Sequence, residues 1–356
     1  MKAENQSWSN TGYQPVYQTE RNGITESIHF GAAAVVSPDG RLYASLGDPG
    51  TATFLRSSAK PLQTIRLVEL GGLTKFNLTE GELAVTCASH SGTDQHLRTI
   101  ASLQEKIGIT EADLLCCTHL PFDKASQAKL KDQGLSPTPN YHNCSGKHSG
   151  MLAQAVLLGA SKEEYTEIDH PVQQGILQVI CDMSGLTQDQ IAVGRDGCSV
   201  PTFAMPLYNA ACAWARLMDP SDLPAARAAA CRRITAAMGG HPFLVAGPGR
   251  FDTRLMKASA SKLVAKAGAE AFQAIGIYPG AIAPGSPALG IAIKIADGDQ
   301  GKRARRAVTL EILRQLGVLS TQELGGLSDL GPVQAYRNQC GIVIGEGKPC
   351  FQLQYS

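Results

Sequence analysis

Hydrophobic and polar residues alternate near both ends of the chain, a pattern typical of β-strands that turn one face to a core. Apolar runs at 32–36 and 42–46 flank the turn sequence Ser-Pro-Asp-Gly at 37–40, which predicts a β-hairpin. Towards the C-terminus, isoleucines at every second position predict a strand over 290–296 that an Asp-Gly turn closes. A final strand is predicted from 341 onward.

Between these ends, apolar residues recur every three or four positions, which predicts helices. Pro61 suits the first turn of the first helix, because its missing N–H would have no partner there. Thr79 and Glu82 form the capping-box pattern at the start of the second helix. The predicted helices span 58–70, about 80–88, about 94–107, 151–160, 172–184, 203–239 with interruptions at Pro206 and Pro220, and 301–316. Residues 116–150 are predicted to be rich in loops.

Strands at both ends with helices between them predict an α+β fold. The terminal strands would pair in one antiparallel sheet, and a helical region at about 58–240 would be inserted between them and pack with the sheet. Residues 1–25 are polar and are predicted to form a loose N-terminal arm. Residues 26–356 would then form a single domain, which is within the length of one large domain.

The charges of the chain are nearly balanced, with 32 Lys and Arg against 31 Asp and Glu. The basic run 302–306 opens an amphipathic helix and is interpreted as a solvated face rather than a nucleic-acid site. No apolar run approaches the roughly 20 residues that span a bilayer, and the N-terminus lacks the apolar core of a signal peptide. We therefore expect a cytoplasmic protein with no nucleic-acid or membrane partner and with its ten cysteines reduced.

The segment Arg-Ser-Ser-Ala-Lys at 56–60 is the strongest candidate for chemistry. Ser57 and Lys60 are three positions apart and would share one face of a helix. A lysine that its surroundings keep neutral can take the proton of a serine hydroxyl and so activate it as a nucleophile. By itself, an S-x-x-K pair is more often a capping serine beside a solvated lysine, so this interpretation depends on residues elsewhere.

Two further segments combine reactive side chains with glycine. Residues 87–92, Cys-Ala-Ser-His-Ser-Gly, form a polar turn between two predicted helices, a common place for functional residues. Residues 266–270, Lys-Ala-Gly-Ala-Glu, place a lysine beside a glycine that would allow a close approach of backbone or substrate. A glycine-capped helix end explains the first segment equally well, and a surface lysine before a turn explains the second.

Two cysteines stand in short glycine-containing turns. Cys144 belongs to the segment Asn-Cys-Ser-Gly-Lys-His-Ser-Gly at 143–150, and Cys198 ends the segment Asp-Gly-Cys at 196–198. Two thiolates with a nitrogen donor and a water would satisfy a tetrahedral zinc ion. The spacing alone, however, favours two structural cysteines over a metal site.

Taken together, these five segments resemble the Rhizobium etli-type (class 3) L-asparaginases, and they occur in that family's order over about two-thirds of the chain. The resemblance implies a fold like that of the serine β-lactamases and penicillin-binding proteins, whose sites use S-x-x-K, S-D-N and K-T-G elements. Here 89–91 reads Ser-His-Ser and 266–268 reads Lys-Ala-Gly. These departures argue against β-lactam hydrolysis.

The resemblance implies an amidohydrolase that converts L-asparagine to L-aspartate and ammonia through a covalent acyl-enzyme. It implies two serine–lysine pairs, Ser57 with Lys60 and Ser89 with Lys266, although Lys262 is an alternative for the second lysine. Which serine forms the acyl-enzyme stays open. It also implies a homodimer.

The resemblance further implies a metal cofactor, Zn²⁺, held by Cys144, Lys147 and Cys198. The zwitterionic substrate needs a cation for its α-carboxylate and an anion for its α-amino group, and the candidates are Arg56, Lys147, His148 and, for the amino group, Asp196. Because the metal ligands stand close to these residues in sequence, we expect the metal to order the substrate site rather than to activate water.

Two alternatives remain. The protein could be another Ser–Lys amidohydrolase, such as a glutaminase, an esterase or an acylase. It could also be a zinc- or thiol-binding protein without enzymatic activity, in which Cys144 and Cys198 would be functional and Ser57 incidental.

Overall fold

Strands from the two ends of the chain pair into one large antiparallel sheet in the computed structural model, which describes residues 12–356. The strands are β1 (Gln14–Arg21), β2 (Ile24–Val36), β3 (Leu42–Leu46), β4 (Ala52–Phe54), β5 (Ala192–Arg195), β6 (Pro201–Pro206), β7 (Leu263–Ala267), β8 (Phe272–Ile277), β9 (Leu289–Ile295), β10 (Gln334–Arg337), β11 (Val343–Pro349) and β12 (Gln354–Tyr355). The α-helices are α1 (Lys60–Glu69), α2 (Gly72–Lys75), α3 (Glu80–Thr86), α4 (Asp94–Ile107), α5 (Lys124–Asp132), α6 (Ser145–Leu158), α7 (Pro171–Ser184), α8 (Leu207–Met218), α9 (Ala225–Gly240), α10 (Pro242–Val245), α11 (Phe251–Ala258), α12 (Ala304–Gln315) and α13 (Thr321–Gly325).

The large sheet has the strand order β10-β11-β1-β2-β9-β8-β7, and β3 and β12 continue from one edge of β2. Residues 24–31 of the long strand β2 pair with β1, and residues 33–36 pair with β3. The predicted hairpin and the predicted strand at 290–296, which is β9, are both confirmed. The chain therefore has the expected α+β fold with an antiparallel sheet.

Helices cover both faces of the sheet at its centre. The helix α8 packs against β9, β2 and β8, and α12 packs against β9, β1 and β11. This explains why every residue of β9 is buried although its isoleucines alternate. Alternation in this strand therefore does not separate core from solvent, because helices cover both faces.

The predicted loose arm is wrong for the part of it that the structure describes. Residues 14–21 form β1, which lies between β2 and β11 and pairs with both. Val16 and Tyr17 are fully buried and Thr19 is nearly so, while Gln14, Gln18 and Glu20 are partly exposed. The polar composition of this segment did not indicate a strand. Backbone hydrogen bonds to β2 and β11 nevertheless pair the segment on both edges, and they do not depend on apolar side chains. Residues 1–11 of the predicted arm lie outside the described residues.

The predicted helices near 58–70, 80–88 and 94–107 are confirmed by α1, α3 and α4. The capping box of Thr79 and Glu82 is also present. The loop-rich prediction for 116–150 is wrong in part, because it contains α5 and the start of α6. The start of the predicted helix at 203–239 is wrong as well, since Pro206 ends the strand β6 and α8 begins only after it.

A second, small sheet brings the site segments together. Its strand order is β4-β6-β5, with both pairs antiparallel. The chain leaves β4 and enters the Ser57 turn, where the Leu55 N–H donates to the Phe203 carbonyl at 2.9 Å. It leaves β5 directly before Asp196. Because β6 pairs with both strands, segments 140 residues apart in sequence meet at one end of this sheet.

Within residues 12–356, none of the helices combines the length and the apolar character that crossing a membrane would require.

Candidate active site

Ser57 lies in a single turn of 3₁₀ helix, Arg56–Ala59, that leads directly into α1. Pro61 occupies the first turn of α1, as the sequence predicts. The neighbouring Ser58 is buried, and its hydroxyl donates to the Leu55 carbonyl at 2.7 Å. Ser57 is only half-buried, and its hydroxyl has no hydrogen-bond partner within the described part of the chain. Ser57 is thus the serine of this turn that remains available to a substrate.

Lys60 is buried, with 1% of its surface exposed, and reaches towards the loop at 87–92. Its Nζ donates to the Ala88 carbonyl at 2.6 Å and to Ser89 Oγ at 3.0 Å. The hydrogen bond of Lys60 is therefore made with Ser89, and not with its sequence neighbour Ser57. In 3₁₀ geometry residues three apart stack along one edge, so Lys60 leaves the helix on the side of Ser57 but extends past it.

The loop that carries Ser89 is held from two sides. The Ser89 N–H donates to the Val245 carbonyl at 3.0 Å, and Ser91 Oγ donates to the Ala246 carbonyl at 2.8 Å. His90 Nε2 and Ser145 Oγ form a hydrogen bond of 2.9 Å, which ties the loop to the start of α6. These contacts fix the position of the Ser89 hydroxyl relative to Lys60.

Lys266 lies within β7 and is also only 1% exposed, so it is not a surface lysine before a turn. Its Nζ donates to the Ala267 carbonyl at 2.9 Å. The pKa of Lys266 is lowered to about 7, mainly by burial and also by the nearby charges of Lys60 and Arg250, against the opposing effect of Asp252. The ammonium of Lys266 therefore loses its proton near neutral pH.

The structure separates the two candidate lysines. Lys262 Nζ forms an ion pair with Glu323 at 2.8 Å and donates to the Val318 carbonyl at 3.1 Å. It is therefore committed to the α13 end of the molecule, whereas the charge of Lys266 interacts with that of Lys60. The structure shows no hydrogen bond between Ser89 and Lys266, since the Ser89 hydroxyl bonds to Lys60 instead.

Gly268 explains why the lysine segment contains a glycine. A Cβ at this position would lie 2.6 Å from the Leu55 carbonyl oxygen and 3.5 Å from the Cβ of Arg56. Any larger residue would push the exit of β7 away from the Ser57 turn. The close approach that the sequence suggested is thus an approach of backbone to backbone.

Arg56 and Asp196 form an ion pair beside Ser57. Arg56 Nε donates to Asp196 Oδ1 at 2.9 Å, and the terminal nitrogen Nη2 lies 2.8 Å from the same oxygen. The Gly197 N–H also donates to Oδ1 at 2.8 Å, which leaves Oδ2 free within the described residues. Arg56 has φ of +51°, the left-handed region that costs a non-glycine residue energy. Strain of this kind often marks a functional position.

Cys144, Lys147 and Cys198 converge as the sequence suggested. All three are buried, and Lys147 Nζ donates to Cys198 Sγ at 2.7 Å. A hydrogen bond from Cys198 lowers the pKa of Cys144. Although burial opposes it, the nearby sulfur charges raise the pKa of Lys147. A buried ammonium thus contacts one sulfur atom and interacts with the charge of the other.

The segment with Cys144 is not the short turn that we expected, because α6 begins at Ser145. A Cβ at Gly146 would lie 2.2 Å from the Val85 carbonyl oxygen, so glycine is required where α6 crosses α3. The start of α6 therefore fixes the positions of Cys144 and Lys147 next to the turn that carries Cys198.

These donors suit a zinc ion in their chemistry. Thiolate sulfur is a preferred zinc ligand, and two of them lie beside a nitrogen donor. In residues 12–356, no group of three His, Cys, Asp or Glu side chains is placed to hold a metal. A metal here would thus need Lys147 as its third protein ligand, and this lysine would first have to lose its proton.

Within the described residues, His148 makes no hydrogen bond or ion pair with Arg56 or Asp196. It is fully buried, and its Nδ1 hydrogen-bonds to the Tyr165 hydroxyl at 2.6 Å. Burial lowers the pKa of His148 well below its usual value, which disfavours the charge that a carboxylate would require. Its Nε2 is buried without a hydrogen-bond partner in the described chain. The contacts of His148 favour a packing role over the proposed contact with a carboxylate.

Sequence reasoning missed Asp252, which supports the lysine strand. This buried carboxylate accepts hydrogen bonds from the Ala267 N–H at 2.8 Å and from Gln273 Nε2 at 3.2 Å. It is also the nearby charge that opposes the lowering of the Lys266 pKa. The only sequence signal was an acidic residue directly after Phe251, on the apolar face of a helix.

A half-exposed serine, a buried lysine on a second serine, and a second lysine of low pKa define a hydrolase of the serine–lysine class. The family model described as L-asparaginase II matches residues 17–349, and the chain belongs to this family. This confirms the resemblance drawn from the five segments and makes the protein an amidohydrolase. No curated protein sequence matches the chain.

Several solved structures resemble the protein at low sequence identity. One is a β-lactamase from Mycobacterium bovis, with 13% identity, a TM-score of 0.44 and coverage of 81% of this chain and 95% of that one. A structure of Mglu has 12% identity, a TM-score of 0.42 and coverage of 82% and 68%. The glutaminase YbgJ of Bacillus subtilis, in a covalent complex with 5-oxo-L-norleucine, has 12% identity, a TM-score of 0.35 and coverage of 80% and 88%. Similarities at this level do not indicate an activity.

Proposed function

We propose that the protein is an L-asparaginase that hydrolyses L-asparagine to L-aspartate and ammonia through an acyl-enzyme on Ser57. The observation that carries this proposal is the hydrogen bond from Lys60 to Ser89 beside the free hydroxyl of Ser57, in a chain of the L-asparaginase II family. In this arrangement Lys60 can take a proton from the hydroxyl of Ser57 and deliver it through the hydroxyl of Ser89.

In the acylation step, Ser57 Oγ attacks the side-chain amide carbon of the substrate while Lys60 accepts its proton. The proton then passes through Ser89 to the amide nitrogen, which leaves as ammonia when its bond to carbon breaks. The product is a β-aspartyl ester of Ser57. The backbone N–H of Ser57 lies in the first turn of a helix, where such groups lack an internal acceptor, and would stabilise the oxyanion.

In the second step, water attacks the ester carbon and the bond to Ser57 Oγ breaks. Lys60 accepts the proton of the attacking water and returns a proton to Ser57 Oγ, so that aspartate leaves and the hydroxyl of Ser57 is restored. Lys266 can take part near neutral pH because its pKa is about 7.

The ion pair of Arg56 and Asp196 supplies the two charges that a zwitterionic amino acid needs. The Arg56 guanidinium would bind the α-carboxylate, and the free Oδ2 of Asp196 would accept a hydrogen bond from the α-ammonium. A site of this kind rejects analogues that lack either charge, because they would leave its polar groups unpaired.

We further propose that Cys144, Lys147 and Cys198 hold a zinc ion. Bound there, zinc would supply a fixed positive charge in place of the ammonium of Lys147. Cys198 lies two residues after Asp196, so a clamp between Cys198 and the start of α6 would order the turn that positions Asp196.

A homodimer remains part of the proposal on the family resemblance alone, and a cytoplasmic location remains part of it on the sequence pattern. Light scattering of the purified protein would test the first, and fractionation of the source cells the second.

Ammonia release from L-asparagine by the unmodified protein, compared with its Ser57→Ala variant, tests the proposal. Ser184→Ala is a matched control, because Ser184 is buried at the end of α7 and its hydroxyl bonds only to the Cys181 carbonyl. The control should keep its activity, whereas Ser57→Ala should be inactive.

L-Glutamine in the same assay distinguishes a glutaminase. If the zinc-loaded protein turned over neither amide, the asparaginase proposal would be wrong, and a zinc- or thiol-binding role would replace it.

A further inference from the structure

The basic run at 302–306 is a solvated face only in part: Lys302 and Arg303 are exposed, whereas Arg305 and Arg306 are partly buried. Lys302, Arg305 and Arg306 line a cavity of about 420 Å³ together with Arg250. We call this cavity, with these four cations, the basic pocket. Its wall includes Gly268, so it lies directly behind the Ser57 turn.

Nearby negative charge balances the cations of the basic pocket only in part, since the buried Asp252 acts on Arg250 and Arg305 from beyond ion-pair distance. Among residues 12–356, none of the four has a carboxylate oxygen within 4.0 Å. Arg306 Nε is buried without any hydrogen-bond partner in the same range. The guanidinium of Arg305 bonds only to the neutral side chain of Gln273. A cation removed from water without a partner is costly, so this arrangement suits a ligand of opposite charge.

The two carboxylates in the wall do not balance these charges. Asp299 accepts hydrogen bonds from the backbone N–H groups of Arg303, Ala304 and Arg305, so its charge serves the start of α12. Glu270 is exposed. Burial lowers the pKa of Arg250 and of Arg305, and the charge of Asp252 opposes this only in part. An arginine nevertheless keeps its proton.

Aromatic rings orient two of the arginines. The Arg250 guanidinium lies 5.0 Å from the centre of the Phe122 ring, and that of Arg305 lies 5.7 Å from the ring of Phe251. A stacked guanidinium is held in one plane and still directs its N–H donors to the side. Planar donor pairs of this kind match the oxygens of a phosphate or a carboxylate.

We infer that the basic pocket is a binding site for a small oxyanion with two or more negative charges, either a phosphate compound or a dicarboxylate. The ligand would contact the guanidinium groups of Arg250, Arg305 and Arg306 and place its charge next to Gly268. This site is separate from the groups assigned to L-asparagine, and its existence does not depend on the proposed function.

Calorimetric titration of the full-length protein at constant ionic strength tests the inference. The probes are pyrophosphate and succinate, which carry phosphate and carboxylate oxygens respectively. At least one should bind saturably to the unmodified protein, and the tighter of the two identifies the oxyanion. Arg306→Gln should weaken that binding roughly tenfold or more, since a hydrogen bond to a charged group contributes about 1.5–3 kcal/mol.

Two further variants complete the test. Arg250→Gln should weaken binding similarly, and it covers the case in which Arg306→Gln does not fold. Arg233→Gln is the matched control, because Arg233 is an exposed arginine of α9 without an ion pair in the described chain, and it should bind as the unmodified protein does. The inference is wrong if neither probe binds saturably, or if the control weakens binding as much as the pocket variants do.

Discussion

The candidate active site and the basic pocket adjoin at Gly268, and both contain buried cations. The cations of the first are lysines and those of the second are mainly arginines. On one side, burial lowers the pKa of Lys266 to about 7, and Lys60 is bonded to Ser89 and to a carbonyl. On the other side, arginines that cannot lose a proton form no ion pair within the described residues. The comparison shows why each residue type occurs where it does. Lysine can give up its charge and transfer protons, whereas arginine keeps its charge and awaits an anion.

The largest effect should come from removing the lysine that bonds to Ser89. Lys60→Met should lower kcat for asparagine about 10²- to 10⁴-fold, the usual contribution of a general base. Steady-state ammonia release measures this. Lys262→Met is the control, because Lys262 pairs with Glu323 away from the site. If the two variants behaved alike, the assignment of Lys60 as base would be lost.

The activity should also depend on the protonation of Lys266. Its pKa of about 7 means that it is charged below pH 7 and neutral above it. Because only the neutral amine can accept a proton, kcat should rise through pH 7 and level off above it. A pH profile of kcat measures this, and Arg250→Gln should move the rise to higher pH, since Arg250 helps to lower this pKa.

A flat profile between pH 6 and 8 in the unmodified protein, with chemistry rate-limiting, would show that Lys266 does not titrate where the structure places it.

The same lowered pKa should appear in the stability of the protein. An unfolded chain binds the lysine proton up to about pH 10.4, whereas the folded protein releases it near pH 7. Between these values the unfolded state binds more protons, so the free energy of unfolding should rise with pH. Lys266→Met should lose this rise. Urea unfolding at pH 6, 8 and 9.5 compares the two proteins, and Lys262→Met should keep the slope of the unmodified chain.

The five sequence segments identified the residues that meet at the site, but not how they pair. The segment with Lys266 approaches the Ser57 turn through Gly268, and the charge of Lys266 acts on that of Lys60. The choice of Ser89 as the partner of Lys60 depends on where the loop at 87–92 lies. That position is set by contacts with Val245 and Ala246, which are remote in sequence.

For the basic run, too, the sequence predicted the local structure but not its surroundings. Its amphipathic pattern predicted the helix correctly, but the sequence did not reveal that its N-terminal arginines face a cavity. The wall of that cavity includes the turn between β7 and β8 and the start of α11, which precede the run in sequence. Asp252 was missed for a related reason. Its hydrogen-bond partners, Ala267 and Gln273, lie on β7 and β8, and the sequence does not show that these strands pack beside it.

A smaller effect is expected from the cysteines. Cys198→Ser should weaken zinc retention and raise KM for asparagine more than it lowers kcat, because the clamp positions Asp196 rather than the reacting atoms. Metal content by mass spectrometry and steady-state kinetics check this. Cys212→Ser is a suitable control, because Cys212 is a buried cysteine of α8. A loss in kcat alone would instead place the metal in the chemistry.

The most direct test of the account is to identify the acylated residue. The enzyme is mixed with L-asparagine, quenched with acid during turnover, digested and examined by mass spectrometry. The account predicts a β-aspartyl ester on the peptide that contains Ser57, and none in the Ser57→Ala variant. An ester on the peptide that contains Ser89, in an enzyme that releases ammonia, would contradict it and make Ser89 the nucleophile of Lys60.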